Sequence, residues 1–270
     1  MSIKIENVEV MGWEAAIRGM RNPMNSWEKS DSLFLDADDD MYDICGNHAP
    51  FYGDDNGNGS QIGKNDLDLM KRLRNAGKDH RKFMRMITVY ADILAPLYWW
   101  KEFDTYKVGT VANSCSTMHK IHAKEFTLED FSCEHLMDME GLIDDIGTTI
   151  EVPIDSVRNI DSPRSALCTV IKILNESRRL YLETKDKNYW WQMIQLLPSS
   201  YNQKRTVMLN YEVLANMYHS RKNHKLDEWR EFCKFIETLP YSELIAGDDG
   251  MYSSQMLDPK YQNKSNESEN

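Results

Sequence analysis

A polar run that follows an aromatic segment is the stretch of this 270-residue chain best suited to chemistry. Its Lys, Thr, Asn, Ser and Cys side chains lie between Lys101 and Met118, and an isolated histidine, His80, stands ahead of them. Between the two, the apolar residues from Ile87 to Ile93 predict a strand, and Tyr98 opens a predicted aromatic helix. A strand, a helix and a polar loop in this order can present side chains to a nucleotide or a cofactor. The alternative is a buried strand and helix followed by an ordinary surface loop.

The elements around this stretch follow from hydrophobic periodicity and from cap signals. We expect a strand over residues 3–10, a helix over Trp13–Met20 after Gly12, and a helix from Asn65 that stops at Gly77. Further helices are predicted over Phe126–Asp145, from Ser162 or Ser165 through Tyr181, over Tyr189–Ile194 and over Leu226–Leu239.

An acidic segment interrupts these elements between residues 31 and 68. It carries ten Asp and one Lys, with glycines interspersed, a composition that rarely packs and that predicts a long surface loop. Loops of this length often close over a site, so a lid is an alternative. A divalent cation held by Asp38–Asp40 or by Asp54 and Asp55 is another, although the segment lacks a calcium-loop spacing.

Charge and cysteine usage limit the possible partners. A formal net charge of −11 argues against a surface that coats nucleic acid. The five cysteines form no C-x-x-C pair and no zinc spacing, which indicates reduced thiols in a cytoplasm. His119 and His122 have the i, i+3 spacing of two metal ligands on a helix, but the sequence specifies no third ligand. No apolar run approaches the roughly 20 residues of a membrane span.

Several spacings carry a resemblance to a known family. His80 lies fifteen residues before the Ala95-Pro96 pair, and from Leu197-Pro198 twelve residues run to Asn210, six more to Asn216 and five more to Arg221. In these distances the chain resembles the flavin-dependent thymidylate synthases, in which the corresponding Asn, Asn and Arg lie on one long helix. The resemblance extends from about residue 5 to 245.

The resemblance implies a fold and a domain organisation. We expect an α+β fold with a central, mostly antiparallel sheet flanked by long helices. One domain would span residues 1–250, with the acidic loop inserted at about 31–66, and a polar tail would follow over 251–270.

The resemblance also implies roles for individual residues. Arg221 and His80 are the predicted catalytic residues. FAD is expected to contact His80, Tyr106, Lys107, Asn210 and Asn216. The predicted substrate-binding residues are Lys101, Glu102, Asn113, Ser114, Cys115, Ser116, Lys204 and Arg221. Methylenetetrahydrofolate and NADPH are the implied cosubstrates, and no metal is expected.

The chain departs from the family at the cations. Thr105-Tyr106-Lys107 stands where the family has R-H-R, and Thr117 and Ile194 stand where it has two arginines for the substrate phosphate. Lys107, Lys204 or Arg205 would have to replace them. Cys115 stands in place of a family Ser, either as a nucleophile or as a buried or neutral thiol.

Two functions from different classes therefore arise. The first is an enzyme that methylates or hydroxymethylates C5 of a pyrimidine deoxynucleotide such as dUMP or dCMP. The second is a non-catalytic protein of the same fold that binds a nucleotide or another partner. The resemblance further implies a cytoplasmic homotetramer, with aromatic helix surface at Tyr98–Trp100 and Tyr189–Trp191 available for contacts between subunits.

Overall fold

The computed structural model describes residues 3–35, 52–53, 59–138 and 162–247. The strands are β1 (Lys4–Met11), β2 (Leu33–Leu35), β3 (Tyr52–Gly53), β4 (Gly59–Gln61), β5 (Thr88–Pro96), β6 (Thr110–Ser114) and β7 (Asn202–Asn210). The helices are α1 (Trp13–Arg21), α2 (Lys64–Asn75), α3 (Leu97–Phe103), α4 (Pro163–Thr184), α5 (Lys187–Leu196), α6 (Tyr211–Arg221), α7 (Asp227–Glu237) and α8 (Glu243–Ala246). The predicted α+β class is confirmed.

The strands form two sheets. The larger has the order β1-β5-β7-β6, and the smaller has the order β2-β4-β3 with antiparallel pairing. The sequence predicted strand β5 because its buried side chains alternate along the chain: Val89, Ala91, Ile93 and Ala95. Pro96 ends β5 in extended conformation and is the N-cap of α3.

The chain divides into two compact units. Of the described residues, the first unit contains 3–4, 93–105, 113–138 and 162–205, and the second contains 5–35, 52–53, 59–92, 106–112 and 206–247.

The first unit has an aromatic and aliphatic core. Trp99 and Trp100 of α3 are 0% exposed, and Trp100 Nε1 donates a hydrogen bond to the carbonyl oxygen of Gln203 at 2.9 Å. The prediction that Tyr98–Trp100 offers aromatic surface is therefore wrong for both tryptophans. Helices α4 and α5 bury a separate apolar group against the segment that follows β6, comprising Ile121, Phe126, Phe131, Leu167, Ile171, Leu174 and Met193.

The second unit is centred on α6, which is buried along most of its length. Trp13 of α1 makes edge contacts with Tyr211 and with Tyr241, each at 5.2 Å between ring centroids. Tyr211 is 0% exposed, and its hydroxyl donates to the carbonyl oxygen of Pro240 at 2.5 Å. A helix buried on nearly all sides takes its position from its neighbours rather than from its own amphipathicity.

A buried carboxylate joins α2 to the end of α1. Asp66 is 0% exposed and accepts hydrogen bonds from Arg21 Nε at 2.7 Å, from Ser30 Oγ at 2.7 Å and from Ser32 Oγ at 2.7 Å. Burial by itself would raise the pKa of Asp66, but the hydrogen bonds from Ser32, Ser30 and Arg21 hold it below its usual value of 3.8. Asp66 is therefore charged at neutral pH and fixes the loop that connects α1 to β2.

Three sequence predictions of secondary structure are wrong within the described residues. Part of the expected loop over 31–68 is the β2-β4-β3 sheet. The candidate cation ligands Asp38–Asp40, Asp54 and Asp55 lie outside the described residues. The helix predicted over Phe126–Asp145 is instead a short 3-10 turn, Leu128–Asp130, followed by irregular chain as far as residue 138. The polar loop expected after α3 contains strand β6, because its residues pair beside β7.

The buried charge of Asp66 leads to a stability prediction. Asp66→Asn removes the partner of a buried arginine and should lower the free energy of unfolding by about 3 kcal/mol at neutral pH. Because the folded-state pKa is depressed, this difference from the parent should shrink as the pH falls below 3.8. Urea unfolding at several pH values measures it.

Asp68→Asn, two residues further along α2 and exposed, is the matched control and should change stability by no more than about 0.5 kcal/mol. An equal effect of the two substitutions would contradict the role assigned to Asp66.

Candidate functional site

The start of α6 is fixed by its own cap. Asn210 is the last residue of β7 and the N-cap of α6, and its side-chain oxygen accepts a hydrogen bond from Val213 N at 2.9 Å. Tyr211 N donates to the carbonyl oxygen of Ile87 at 3.0 Å, which ties the first turn to the residue just before β5. Asn210 thus caps the one helix that carries Asn216 and Arg221, whereas the resemblance placed all three residues within that helix.

The far end of α6 carries Arg221 in an aromatic setting. Its Nε donates to the hydroxyl of Tyr106 at 2.9 Å, and its guanidinium lies 4.9 Å from the ring centroid of Trp229 and 5.6 Å from that of Tyr106. Trp229 is 0% exposed, so it forms a rigid wall for the half-buried arginine. Cation–π contact and a hydrogen bond to Nε together restrict the orientation of the guanidinium plane.

A second charged contact holds α6 in place near its start. The Glu212 carboxylate accepts hydrogen bonds from two arginines. Arg81 Nε lies 3.3 Å from Oε1, and Arg85 contacts both carboxylate oxygens. Burial would raise the pKa of Glu212, but the hydrogen bond and charge of Arg85, with a further contribution from Arg81, lower it below its usual value. Glu212 is therefore an anion that binds the short helix Arg81–Arg85 to α6.

The loop that carries Tyr106 packs on the same cap. Gly109 has a φ of +83°, and a Cβ placed there would lie 2.4 Å from Nδ2 of Asn210. Only glycine allows both this conformation and this approach. The contact between Gly109 and Asn210 therefore positions the loop that carries Tyr106 and Lys107.

Three other predicted residues of the second unit are exposed. His80 lies in the turn before Arg81, with its backbone nitrogen donating to Gly77 O at 3.1 Å. Lys107 and Asn216 are likewise exposed, on the loop before β6 and on α6. Asn216 and Arg221 are five residues apart on the helix, so their side chains do not share a face.

All of the predicted substrate residues except Arg221 lie in the first unit. Cys115 N donates to Lys204 O at 2.9 Å, and Gln203 Nε2 donates to Cys115 O at 2.7 Å, so the end of β6 lies against β7. Asn113 and Ser114 are exposed on β6, and Ser116 Oγ accepts from His119 N at 2.8 Å in the turn that follows. Lys101 is exposed and Glu102 half-buried on α3.

Arg205 is engaged within the chain. Its Nη1 lies 2.7 Å from Asp104 Oδ1, its Nε donates to Gln203 Oε1 at 3.0 Å, and its guanidinium stacks 4.2 Å from the ring centroid of Trp100. A phosphate contact by Arg205 would have to compete with this ion pair.

The structure also places the cysteine and the histidines for which the sequence suggested a role. The thiol of Cys115 is exposed, so the buried form is excluded, while the reactive thiol and the exposed neutral thiol stay open. His119 and His122 lie in turns rather than on a helix, and the ring of His122 packs 5.0 Å from that of Tyr181. Among the residues that the structure describes, no three acidic, His or Cys side chains are grouped to hold a metal ion.

Sequence reasoning missed Trp229, Gly109 and Glu212. Trp229 follows Arg221 by eight residues across a turn, a separation at which no local pattern predicts contact. Of these three residues, Gly109 was the one that the sequence could have indicated, because a glycine in a polar loop often marks a positive φ.

Two solved structures of one enzyme share this fold with the chain. The flavin-dependent thymidylate synthase ThyX of Helicobacter pylori, complexed with FAD and dUMP, superposes with a TM-score of 0.55 at 15% identity, covering 91% of this chain and 98% of that chain. A second structure of that enzyme with FAD and dUMP gives a TM-score of 0.55 at 15% identity, with coverages of 91% and 97%.

More distant is the UMP/dUMP methylase PolB of Streptomyces cacaoi bound with 5-Br dUMP, with a TM-score of 0.48 at 13% identity and coverages of 88% and 89%. No protein-family model matches the sequence, and no curated protein matches it significantly. The chain has the fold of the flavin-dependent thymidylate synthases, as the sequence resemblance predicted.

The packing of Gly109 leads to a prediction with a built-in control. Gly109→Ala should destabilise the protein by about 1–2 kcal/mol from backbone strain, and by a further ~1 kcal/mol because it displaces the Asn210 cap. Gly77→Ala also introduces strain, at a φ of +105°, but its Cβ meets nothing within 4 Å. Urea unfolding compares the two, and equal losses would contradict the role of the contact with Asn210.

Proposed function

We propose that this protein is a flavin-dependent thymidylate synthase-like enzyme that alkylates C5 of a pyrimidine deoxynucleotide, with dUMP as the first candidate. The observation that carries the proposal is the constrained guanidinium of Arg221, held by Tyr106 and Trp229 on a fold shared with a protein crystallised with FAD and dUMP.

The chemistry of Arg221 suits the pyrimidine ring. In C5 alkylation the C5 carbon is the nucleophile, so the pyrimidine ring must be electron-rich. A guanidinium stabilises developing negative charge at a ring carbonyl without itself losing a proton. The contact of Nε with Tyr106 and the wall of Trp229 reduce the entropy that Arg221 would lose on binding. Arg221 would therefore orient and polarise the substrate.

The donor set of the second unit fits a flavin in part. Asn216 offers an exposed amide, His80 an exposed imidazole and Lys107 an exposed ammonium, which are suitable partners for a flavin ring and a pyrophosphate. When bound, reduced flavin would supply the hydride that reduces the transferred carbon. Asn210 is committed to the helix cap and would contribute by holding the loop of Lys107 rather than by direct contact.

The first unit offers two lysines as candidate contacts to a phosphate. Lys204 is half-buried beside the backbone of Cys115, and Lys101 is exposed on α3. Each ionic hydrogen bond to a phosphate contributes on the order of 1.5–3 kcal/mol, so two lysines would partly offset the arginines that the family has and this chain lacks. Methylenetetrahydrofolate as carbon donor and NADPH as reductant complete the proposal.

Binding of flavin is the most direct test. Micromolar FAD should lose fluorescence when titrated with the purified protein, and the co-purified chromophore should be identifiable by mass spectrometry. A colourless protein that leaves FAD fluorescence unchanged at these concentrations would remove the basis of the enzyme proposal.

Arg221 provides the test of substrate binding. Arg221→Lys should weaken dUMP nearly as much as Arg221→Ala, by about tenfold or more, because an ammonium lacks the planar pair of donors. Calorimetric titration of dUMP measures this, and thermal unfolding checks that each variant folds.

Arg230→Lys is the matched control, since Arg230 is exposed on α7 and should leave dUMP affinity unchanged. If Arg221→Lys binds dUMP as well as the parent does, Arg221 is not a substrate residue.

A non-catalytic nucleotide- or partner-binding protein is the second candidate. The ion pair between Arg205 and Asp104 favours it, because it consumes a cation that a phosphate site would need. Complementation of a thymidine-requiring bacterial strain separates the two functions. Growth with the parent gene and none with Arg221→Ala supports the enzyme, whereas no growth with either supports the binding protein.

The expected assembly and location remain predictions. We propose a homotetramer, for which the exposed Trp191 and the half-buried Tyr98, Tyr189 and Trp190 are the aromatic side chains available for contacts between subunits. Light scattering that finds a 31.6 kDa particle would contradict it. Within the residues described, no helix is long and apolar enough to cross a membrane. A cytoplasmic location without nucleic-acid partners is likewise proposed.

A further inference from the structure

A basic cleft lies between α2 and the segment after α1, in the second unit. Its volume is about 790 Å³, within the range of small-molecule sites. Four cationic side chains line it, Arg21, Lys29, Lys71 and Arg72, against one carboxylate, Asp68. No residue of this cleft was assigned to flavin or nucleotide above.

The walls of the cleft are held by buried polar contacts. Arg21 is 3% exposed and donates to Asp66, to Ser26 O at 3.0 Å and to Lys29 O at 3.0 Å. The backbone of Lys29 is therefore fixed to the same arginine that Asp66 holds. On the other wall, Asp68, Lys71 and Arg72 have the i, i+3 and i+4 spacing that brings them to one face of α2.

The charges of the cleft are only partly neutralised. Arg21 is paired with Asp66, and Lys71 has an ion pair with Glu243 at 3.4 Å in which both side chains are 44% exposed. Within the described parts of the chain, the side chains of Lys29 and Arg72 make no hydrogen bond or ion pair, and neither does that of Asp68. Uncompensated cations in a concave surface attract anions, even on a chain whose net charge is −11.

We propose that this cleft binds a phosphorylated small molecule of nucleotide size. Lys29 and Arg72 would contact the phosphate groups from the two walls, with Lys71 contributing when it leaves Glu243. Met24 and Leu69 supply an apolar lining for the rest of the ligand. The proposal stands independently of the proposed activity, since it uses neither Arg221 nor the flavin residues.

Calorimetry with inorganic pyrophosphate on the full chain tests the proposal. The parent should bind pyrophosphate, more weakly as salt is added. The double variant Lys29→Ala/Arg72→Ala should weaken binding at least about tenfold, because each cation contributes an ionic hydrogen bond. Lys120→Ala/Lys172→Ala removes the same charge from exposed positions outside the cleft and should have little effect.

Asp68→Asn supplies a test of opposite sign. Removing the single carboxylate that lines the cleft should strengthen pyrophosphate binding several-fold by ending its repulsion of the ligand. Thermal unfolding of all variants checks the fold, which these exposed substitutions should leave intact.

Three results would overturn the proposal: no pyrophosphate binding by the parent at millimolar concentration, equal loss in the cleft and control variants, or weaker binding after Asp68→Asn. A fourth arm titrates FAD and dUMP. Affinities for both that are unchanged by Lys29→Ala/Arg72→Ala support a separate site, whereas loss of FAD binding would assign the cleft to the flavin. Failure of Arg221→Ala to affect dUMP would disprove the proposed function and leave this cleft unaffected.

Discussion

The arrangement of the second unit depends on the anchoring of α6 at its start. Asn210 caps the helix, Tyr211 hydrogen-bonds to the residue before β5, and the Glu212 carboxylate is held by Arg81 and Arg85. These contacts engage three consecutive residues, so the helix has little freedom to rotate or slide. Because Arg221 ends the same helix, its place beside Tyr106 and Trp229 depends on contacts ten residues earlier in the chain.

Buried charge has a consistent structural role in this protein. Asp66 with Arg21 and Glu212 with Arg81 are pairs in which the acid joins two segments distant in sequence. Such pairs cost desolvation energy, and neutral or apolar replacements of both partners are often as stable. Their effect is on geometry, since a carboxylate that accepts several hydrogen bonds allows few arrangements of its donors. At Asp66 those donors also shape one wall of the basic cleft.

The distribution of cations bears on both functional proposals. Arg205 is paired with Asp104 and stacked on Trp100, while Lys29 and Arg72 line a cleft without an acidic partner among the described residues. An acidic neighbour that paired with these cations would reduce their attraction for an anion. Asp68, the acid nearest in sequence to Arg72 among the residues lining the cleft, makes no ion pair with it. Both proposals therefore put phosphate contacts at positions other than those of the family's two arginines for the substrate phosphate.

The sequence alone determined the elements whose periodicity is strong and local. The alternation of β5, the Ser162 cap of α4 and the amphipathic α7 were all predictable, because neighbours along the chain generate these patterns. The spacings around Ala95-Pro96 and Leu197-Pro198 also indicated the fold. Tertiary structure decided the rest: Asn210 became a cap, Trp99 and Trp100 became core, and Trp229 met Arg221. These depend on contacts between distant segments, which periodicity along one segment does not encode.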